Sequence, residues 1–296
     1  MDNILQNLTV VIVTYKTSIN ILTSCLKAIN KEVKTVIVEN SKQFEEEEYI
    51  KKNFSNVKIF CTGSNLGMGA GNNFGITKVK TRYVLTLNPD IICDENFFEN
   101  VKHYLNNNIN FSLIGTQYKD GVDIPPAFFF DNKKFEKNLN FDEHHLQKVD
   151  WVVGCSILFD LSKFDSKKLF DENFFLFYEE TDLCLQLKKK GQNVFSSKKL
   201  LVDHLGAKGS LEGLENETKN IKIRNWHLMW STFYYNKKNY GFIFALIKSI
   251  GPLIRSLVKL IFYGLILRKK DFLKYLFRSY GLLSSILGMK SSYRIE

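Results

Sequence analysis

The sequence predicts an α/β fold with a mainly parallel sheet and flanking helices, followed by a basic helical tail. Three observations lead there. Short β-branched runs alternate with stretches of helical periodicity from residue 8 to residue 88. The first of those runs, residues 8–14, is continuous, the pattern of a strand buried on both faces. Basic charge gathers at one end: residues 217–296 hold 15 Lys/Arg against 3 Asp/Glu, whereas residues 1–216 sum to −2 in a chain of net charge +10.

LTVVIVT (8–14) is the first such run and reads as a strand. SINILTSCLKAINK (18–31) places Ile21, Leu22, Cys25, Leu26 and Ile29 on one helical face. KTVIVE (34–39) is the next strand, followed by a solvated acidic helix containing EEEE (45–48) and by the strand NVKIF (56–60). GMGAGNNFGITKVK (67–80) reads as a glycine-rich turn entering a helix, and RYVLTLN (82–88) as a fourth strand. DWVVGCSILF (150–159) is strand-like. EETDLCLQLKKKG (179–191) is a helix with acids in its first turn, lysines in its last and Gly191 as its stop. LLVDH (200–204) reads as a strand that carries His204 to an edge.

Composition excludes several classes. The five cysteines are scattered with no CxxC pair, which argues against a zinc site or a disulfide framework and suits a reducing compartment. The N-terminus has no basic segment ahead of its apolar run, so no signal peptide is expected. His103, His144, His145 and His227 fall in no usable pattern.

Four groups of polar residues sit at strand ends, where α/β sheets place their ligands. Thr14 and Tyr15 end the first strand. Glu39, Asn40 and Ser41 end the second; an acid there can accept from a nucleoside, and the same trio also suits a plain turn. GSNLGMGAGNNFG (63–75) does not fit the dinucleotide fingerprint and follows the third strand. Asn65, Gly67, Asn72 and Asn73 within it suit a polar ligand or a self-satisfied helix entry. Asn88-Pro89-Asp90 ends the fourth strand. It offers a carboxylate to a hard divalent ion, or simply a turn. The acids Glu179, Glu180 and Asp182 beside the aromatic run FFLFY (174–178) suit a helix start or a reacting site.

Taken in order, NLGMGAGNNFGI, YVLTLNPD, WVVGCS, FDENFFLFYEETDLCLQL and VDH resemble the family 2 glycosyltransferases, nearest their rhamnosyltransferase-like branch, over residues 8 to about 210. The resemblance implies a GT-A fold and inverting sugar transfer from a nucleotide-diphosphate sugar, with a divalent metal, Mg²⁺ or Mn²⁺, as cofactor. By motif it implies that Thr14, Tyr15 and Glu39, with Asn40 beside them, hold the nucleoside. Asn65, Gly67 and Asn72 would line the donor site, and Asn88 and Asp90 occupy the Asp-x-Asp position, with Asp90 as metal ligand. Gly154 and Cys155, near Trp151, would lie by the donor sugar. Glu180 is the implied general base, with Glu179 and Asp182 beside it, and His204 completes the metal or phosphate site. Glu39, Asn88 and Glu180 each stand where the family has Asp. Phe174, Phe175, Phe177 and Tyr178 are expected to exclude water from the carboxylate and raise its proton affinity.

The tail changes character. FIFALIKSIGPLIRSLVKLIFYGLIL (242–267) is strongly apolar yet carries Lys248, Arg255, Lys259 and Gly251-Pro252 near its middle. Such a segment suits the interface of an anionic bilayer better than its interior, and it also suits a helical subdomain packed on the main domain with its lysines facing water. The expected division is therefore a catalytic domain over 1–215 and an amphipathic, membrane-associating tail over 216–296. The expected partners are a dTDP- or UDP-sugar, a lipid-linked or glycan acceptor and a membrane surface, without nucleic acid. The expected location is cytoplasmic, on the inner face of the plasma membrane. Two rival readings stay open: a nucleotidyltransferase or other nucleotide-sugar enzyme, and a non-catalytic membrane-binding adaptor.

Overall fold

The computed structural model describes residues 4–119, 141–204 and 214–294, without the side chains of 214–216. They fall into two compact units, one within residues 1–171 and 180–210, the other within 172–179 and 211–296.

The first unit is built on a sheet with strands β1 (Leu8–Thr14), β2 (Lys34–Glu39), β3 (Val57–Cys61), β4 (Tyr83–Leu87), β5 (Ile91–Cys93), β6 (Leu113–Tyr118), β7 (Leu146–Lys148), β8 (Ser156–Asp160) and β9 (Val194–His204). Their order is β3-β2-β1-β4-β8-β6-β9-β5, with β7 pairing on β9. The helices are α1 (Ile19–Lys27), α2 (Glu47–Asn53), α3 (Met68–Thr77), α4 (Phe97–Asn106) and α5 (Glu179–Lys189).

β3, β2, β1 and β4 are parallel, as the βαβ alternation predicts. Beyond β4 the sheet is mixed: β8 is antiparallel to β4 and β6, and β9 is antiparallel to β5 and β7 but parallel to β6. β8 is also shorter than the run DWVVGCSILF suggests. It begins at Ser156, and just before it the Cys155 carbonyl accepts from the Asn88 N–H at 2.8 Å, in line with the β4 register. α4 and β6 are elements that the periodicity reading leaves out.

β1 shows why the apolar runs are continuous. Leu8, Val10 and Ile12 enter one core cluster, with Leu22 of α1 and Val101 of α4. Val11 and Val13 point the other way, into a cluster with Ile76 of α3 and Leu183 and Leu187 of α5. Both faces are covered, so alternate residues of one strand feed separate cores.

The second unit holds α6 (Leu214–Tyr240), α7 (Phe242–Leu265) and α8 (Lys269–Ile286). Phe233 of α6, Ala245 of α7 and Leu282 of α8 form its centre. Gly281 lets α8 approach α6 closely: a Cβ there would lie 2.1 Å from the Trp226 carbonyl oxygen. No helix of the described residues is long and apolar enough to cross a membrane.

Candidate active site

The sheet brings most of the singled-out residues to the ends of β1, β2, β4 and β9 in the first unit. Thr14 and Glu39 are register partners on parallel strands, and both are buried. The Thr14 hydroxyl donates to Glu39 Oε2 at 2.6 Å, and the Lys16 amide donates to Oε1 at 3.3 Å. Tyr15 lies between them in the chain, partly buried. Asn40 donates to the Gly67 carbonyl at 3.0 Å and so ties β2 to the entry of α3.

That entry explains part of the glycine-rich stretch. Gly67 has φ 88°, a left-handed value that glycine adopts freely, and its N–H donates to Asn65 Oδ1 at 3.0 Å. Gly71 and Gly75 are one helical turn apart on the face that meets the sheet. A Cβ on Gly75 would come 2.5 Å from Val11 Cγ1 and 2.9 Å from Val38 Cγ2; one on Gly71 would come 2.8 Å from Val13 Cγ1. These two glycines serve packing. Asn73 serves the structure too: its amide nitrogen donates to the Phe170 carbonyl at 2.8 Å, and its oxygen accepts from the Leu169 and Phe170 amides. Asn72 is buried beside it on α3.

The metal-ligand candidates meet. Asp90, 4% exposed, sits just before β5, and His204 ends β9; the pairing Ile91↔His204 places His204 Nε2 3.2 Å from Asp90 Oδ2. Tyr118 stacks on His204 at 5.7 Å between centroids. The Tyr118 hydroxyl donates to Cys155 Sγ at 3.3 Å. Burial, then Cys155 and Asp90 nearby, push the Tyr118 phenol up. Burial lifts the Cys155 thiol to about 11, so it stays neutral near pH 7. Tyr118 is a site residue that the sequence reading missed; only the strand pairing reveals it.

Cys155 links that pair to the acids. Its carbonyl accepts from Asn88 N–H, and Gly154, next in the chain, lies against Glu180. A Cβ on Gly154 would stand 3.2 Å from Glu180 Cγ and 3.4 Å from its carboxyl carbon. A series of contacts thus runs from Asp90 and His204 through Tyr118 and Cys155 to Gly154 and Glu180. Desolvation raises the Glu180 carboxyl above its ordinary value, against opposing hydrogen bonds from its own and the Thr181 backbone and from the Thr181 hydroxyl at 3.2 Å. Asp182 is buried one residue beyond Thr181, within the first turn of α5.

The chain passes from one unit to the other between Glu179 and Glu180. In the second unit, α6 holds the segment that leads to Glu179. Phe174 packs edge-on to Tyr234 at 4.9 Å, Phe175 lies 4.5 Å from His227, and Tyr178 lies 5.1 Å from Tyr235. The Ser231 hydroxyl donates to the Leu176 carbonyl at 2.9 Å. Phe177 and Tyr178 both have left-handed φ, 69° and 72°, a strain that persists only when the surroundings impose it. The rings expected to shield the carboxylate are engaged by α6.

Among the described residues, no three His, Cys, Asp or Glu side chains converge to hold a metal. Asp90 and His204 could offer two ligands to a metal. That suits a divalent ion whose remaining positions are filled by substrate phosphates and water, the usual arrangement for Mg²⁺ with diphosphates.

The sequence model described as Glycosyl transferase family 2 matches residues 9–161. Among curated proteins, the chain is 25% identical over 204 residues to the low-salt glycan biosynthesis hexosyltransferase Agl10 of Haloferax volcanii, covering 65% of each. It is 26% identical over 199 residues to the rhamnosyltransferase WbbL of Escherichia coli, covering 60% of this chain and 72% of that one. Among solved structures, the mannosyltransferase PcManGT of Pyrobaculum calidifontis, in complex with GDP-Man and Mn²⁺, superposes with a TM-score of 0.54 at 10% identity, covering 95% of this chain and 87% of that one. S. aureus TarS 1–349 superposes with a TM-score of 0.54 at 14% identity, covering 98% and 93%. These structural likenesses establish the GT-A-like fold.

Proposed function

The chain belongs to glycosyl transferase family 2, and on that premise we propose that it is an inverting glycosyltransferase of cell-surface glycan synthesis. It moves a sugar, with rhamnose the candidate, from a dTDP- or UDP-sugar to a lipid-linked or polysaccharide acceptor. It works on the inner face of the plasma membrane, which residues 217–296 contact.

The observation that carries the reading is the run of contacts from His204–Asp90 to Gly154–Glu180. It supports a metal-side pair and a carboxylate of raised proton affinity serving one substrate. The named relatives support glycan synthesis and a hexosyl or rhamnosyl donor. The structural neighbours bound to GDP-Man with Mn²⁺ and to UDP-GlcNAc support a nucleotide-sugar donor.

Glu180 accepts the proton of the acceptor hydroxyl as that oxygen bonds to the anomeric carbon and the nucleoside diphosphate leaves from the opposite face. A raised carboxyl pKa makes Glu180 the stronger base for that proton. Asp90 and His204 would hold the divalent ion, which when bound neutralises charge on the diphosphate. Gly154 lets the Glu180 side chain lie directly against the chain, since a Cβ there would stand 3.2 Å from Glu180 Cγ. Hydrogen bonds from Thr14 and Lys16 hold the Glu39 carboxyl fixed at the nucleoside end.

The test is transfer from labelled nucleotide-sugars to a lipid-linked acceptor, with the anomeric configuration of the product determined. Inverted product, lost in Glu180→Gln while donor binding remains, is the expected result. Nucleotide turnover independent of any acceptor would favour the nucleotidyltransferase reading.

A further inference from the structure

α7 carries an apolar face that no other described residue of its unit covers. Successive residues of a helix turn by about 100°, so Ile243, Ile247, Ile250, Ile254, Ile261 and Leu265 form one stripe along the helix. Ile243 is 73% exposed, Ile261 65% and Leu265 79%. The opposite side does the packing: Ala245, Ser249 and Ser256 are buried, and Ala245 meets Phe233 and Leu282. Its core-facing side is therefore small and polar, and its outward side large and apolar. For a helix wholly served by its own unit, the reverse would hold.

We propose that α7 lies flat in the surface of an anionic lipid bilayer, with this stripe in the boundary between headgroups and acyl chains. The proposal rests on the membrane-associated glycosyltransferase reading and narrows it to one face of one helix. Charge selects the occupant. Lys248 and Arg255 flank the stripe on one side with Lys259, and α7 contains no Asp or Glu. Two copies meeting through this face would bring cations together with no acid on either helix to compensate. Anionic headgroups supply that charge, and cations at the edge of an apolar face are what an in-plane helix offers them. At 24 residues the helix is about 36 Å long, yet its central cations and Gly251-Pro252 disfavour a span.

The test is flotation of the full-length protein with vesicles of phosphatidylcholine alone or mixed with phosphatidylglycerol. Wild type should bind the mixed vesicles at least tenfold more tightly. Ile247→Asp/Ile254→Asp/Ile261→Asp, at exposed positions, should lose binding at least tenfold while keeping its helical content and its thermal shift with donor. Lys248→Gln/Arg255→Gln should lose about fivefold per cation on mixed vesicles only. Lys259 is left in place because its Nζ donates to the Tyr275 hydroxyl at 3.0 Å. Unchanged flotation of the triple Asp variant would overturn the proposal. So would a lipid-free dimer of wild type that the same variant dissociates, with no flotation of either. Absence of donor binding in wild type would count against the glycosyltransferase reading and leave the flotation result standing.

Discussion

Glu39 is 1% exposed, and both of its carboxylate oxygens already accept hydrogen bonds, from Thr14 and Lys16. On the proposed reading a nucleoside would share a preorganised acceptor rather than recruit a free one, since a carboxylate has lone pairs to spare. Thr14→Val would leave a buried carboxylate oxygen short of a donor. The expected cost is about 1–3 kcal/mol of stability, read by denaturant unfolding, together with weaker donor binding. Glu180 makes the opposite trade. Its folded pKa is raised by desolvation, so its ionised form is disfavoured in the folded state. Stability from the neutral form is fully present below the ordinary carboxylate range and is lost as pH rises through the folded pKa. Glu180→Gln should thus melt higher than wild type near neutral pH, and the difference should vanish in acid. Transfer should fall by roughly 10²–10⁴. A variant equal to wild type in both melting and transfer would remove Glu180 as the base. The acid cluster is legible in the sequence. Its placement against Gly154 is not, because that contact joins positions 26 apart through a tertiary approach.

Elements explain why some motif residues are what they are. The strands β1, β2 and β4 are legible because burial on both faces demands largely apolar runs, and β3, at the sheet edge, because it falls in the same alternation. The mixed half of the sheet is not, since β5 and β7 have three residues each and carry no periodicity. Gly71 and Gly75 look like ligand-cradling glycines in sequence; only the strand beneath α3 shows that they admit Val13 and Val11. Gly75→Ala should cost about 1–3 kcal/mol by overpacking, partly offset by the better helix propensity of alanine, about 1 kcal/mol. A lower denaturation midpoint with retained donor specificity is expected; a loss of donor binding at unchanged stability would instead make Gly75 part of the site. In the second unit, Gly281→Ala would drive a Cβ into the backbone of α6 at Trp226, which cannot yield as a side chain can. Reduced helical content or a lower melting temperature is the expected outcome, read by circular dichroism.

Across the whole molecule, charge and chain path divide the labour. The excess positive charge lies in residues 217–296, with the exposed face of α7 among them. That division is visible in composition. What composition hides is that residues 172–179 group with the C-terminal helices, although they immediately precede the acid pair. The contacts that place them there, Phe174 with Tyr234 and Ser231 with Leu176, span more than 50 positions and follow no local pattern. The central claim is that Asp90 and His204 close one end of a nucleotide-sugar site. It is tested most directly by thermal unfolding of the purified protein with dTDP-, UDP- and GDP-sugars, each with and without Mn²⁺ or Mg²⁺. Stabilisation by one donor that requires the metal and disappears in Asp90→Ala is the predicted result; at a donor concentration 100 times its Kd, the gain should be about 2.7 kcal/mol. Equal stabilisation of wild type and Asp90→Ala, with or without metal, would contradict it.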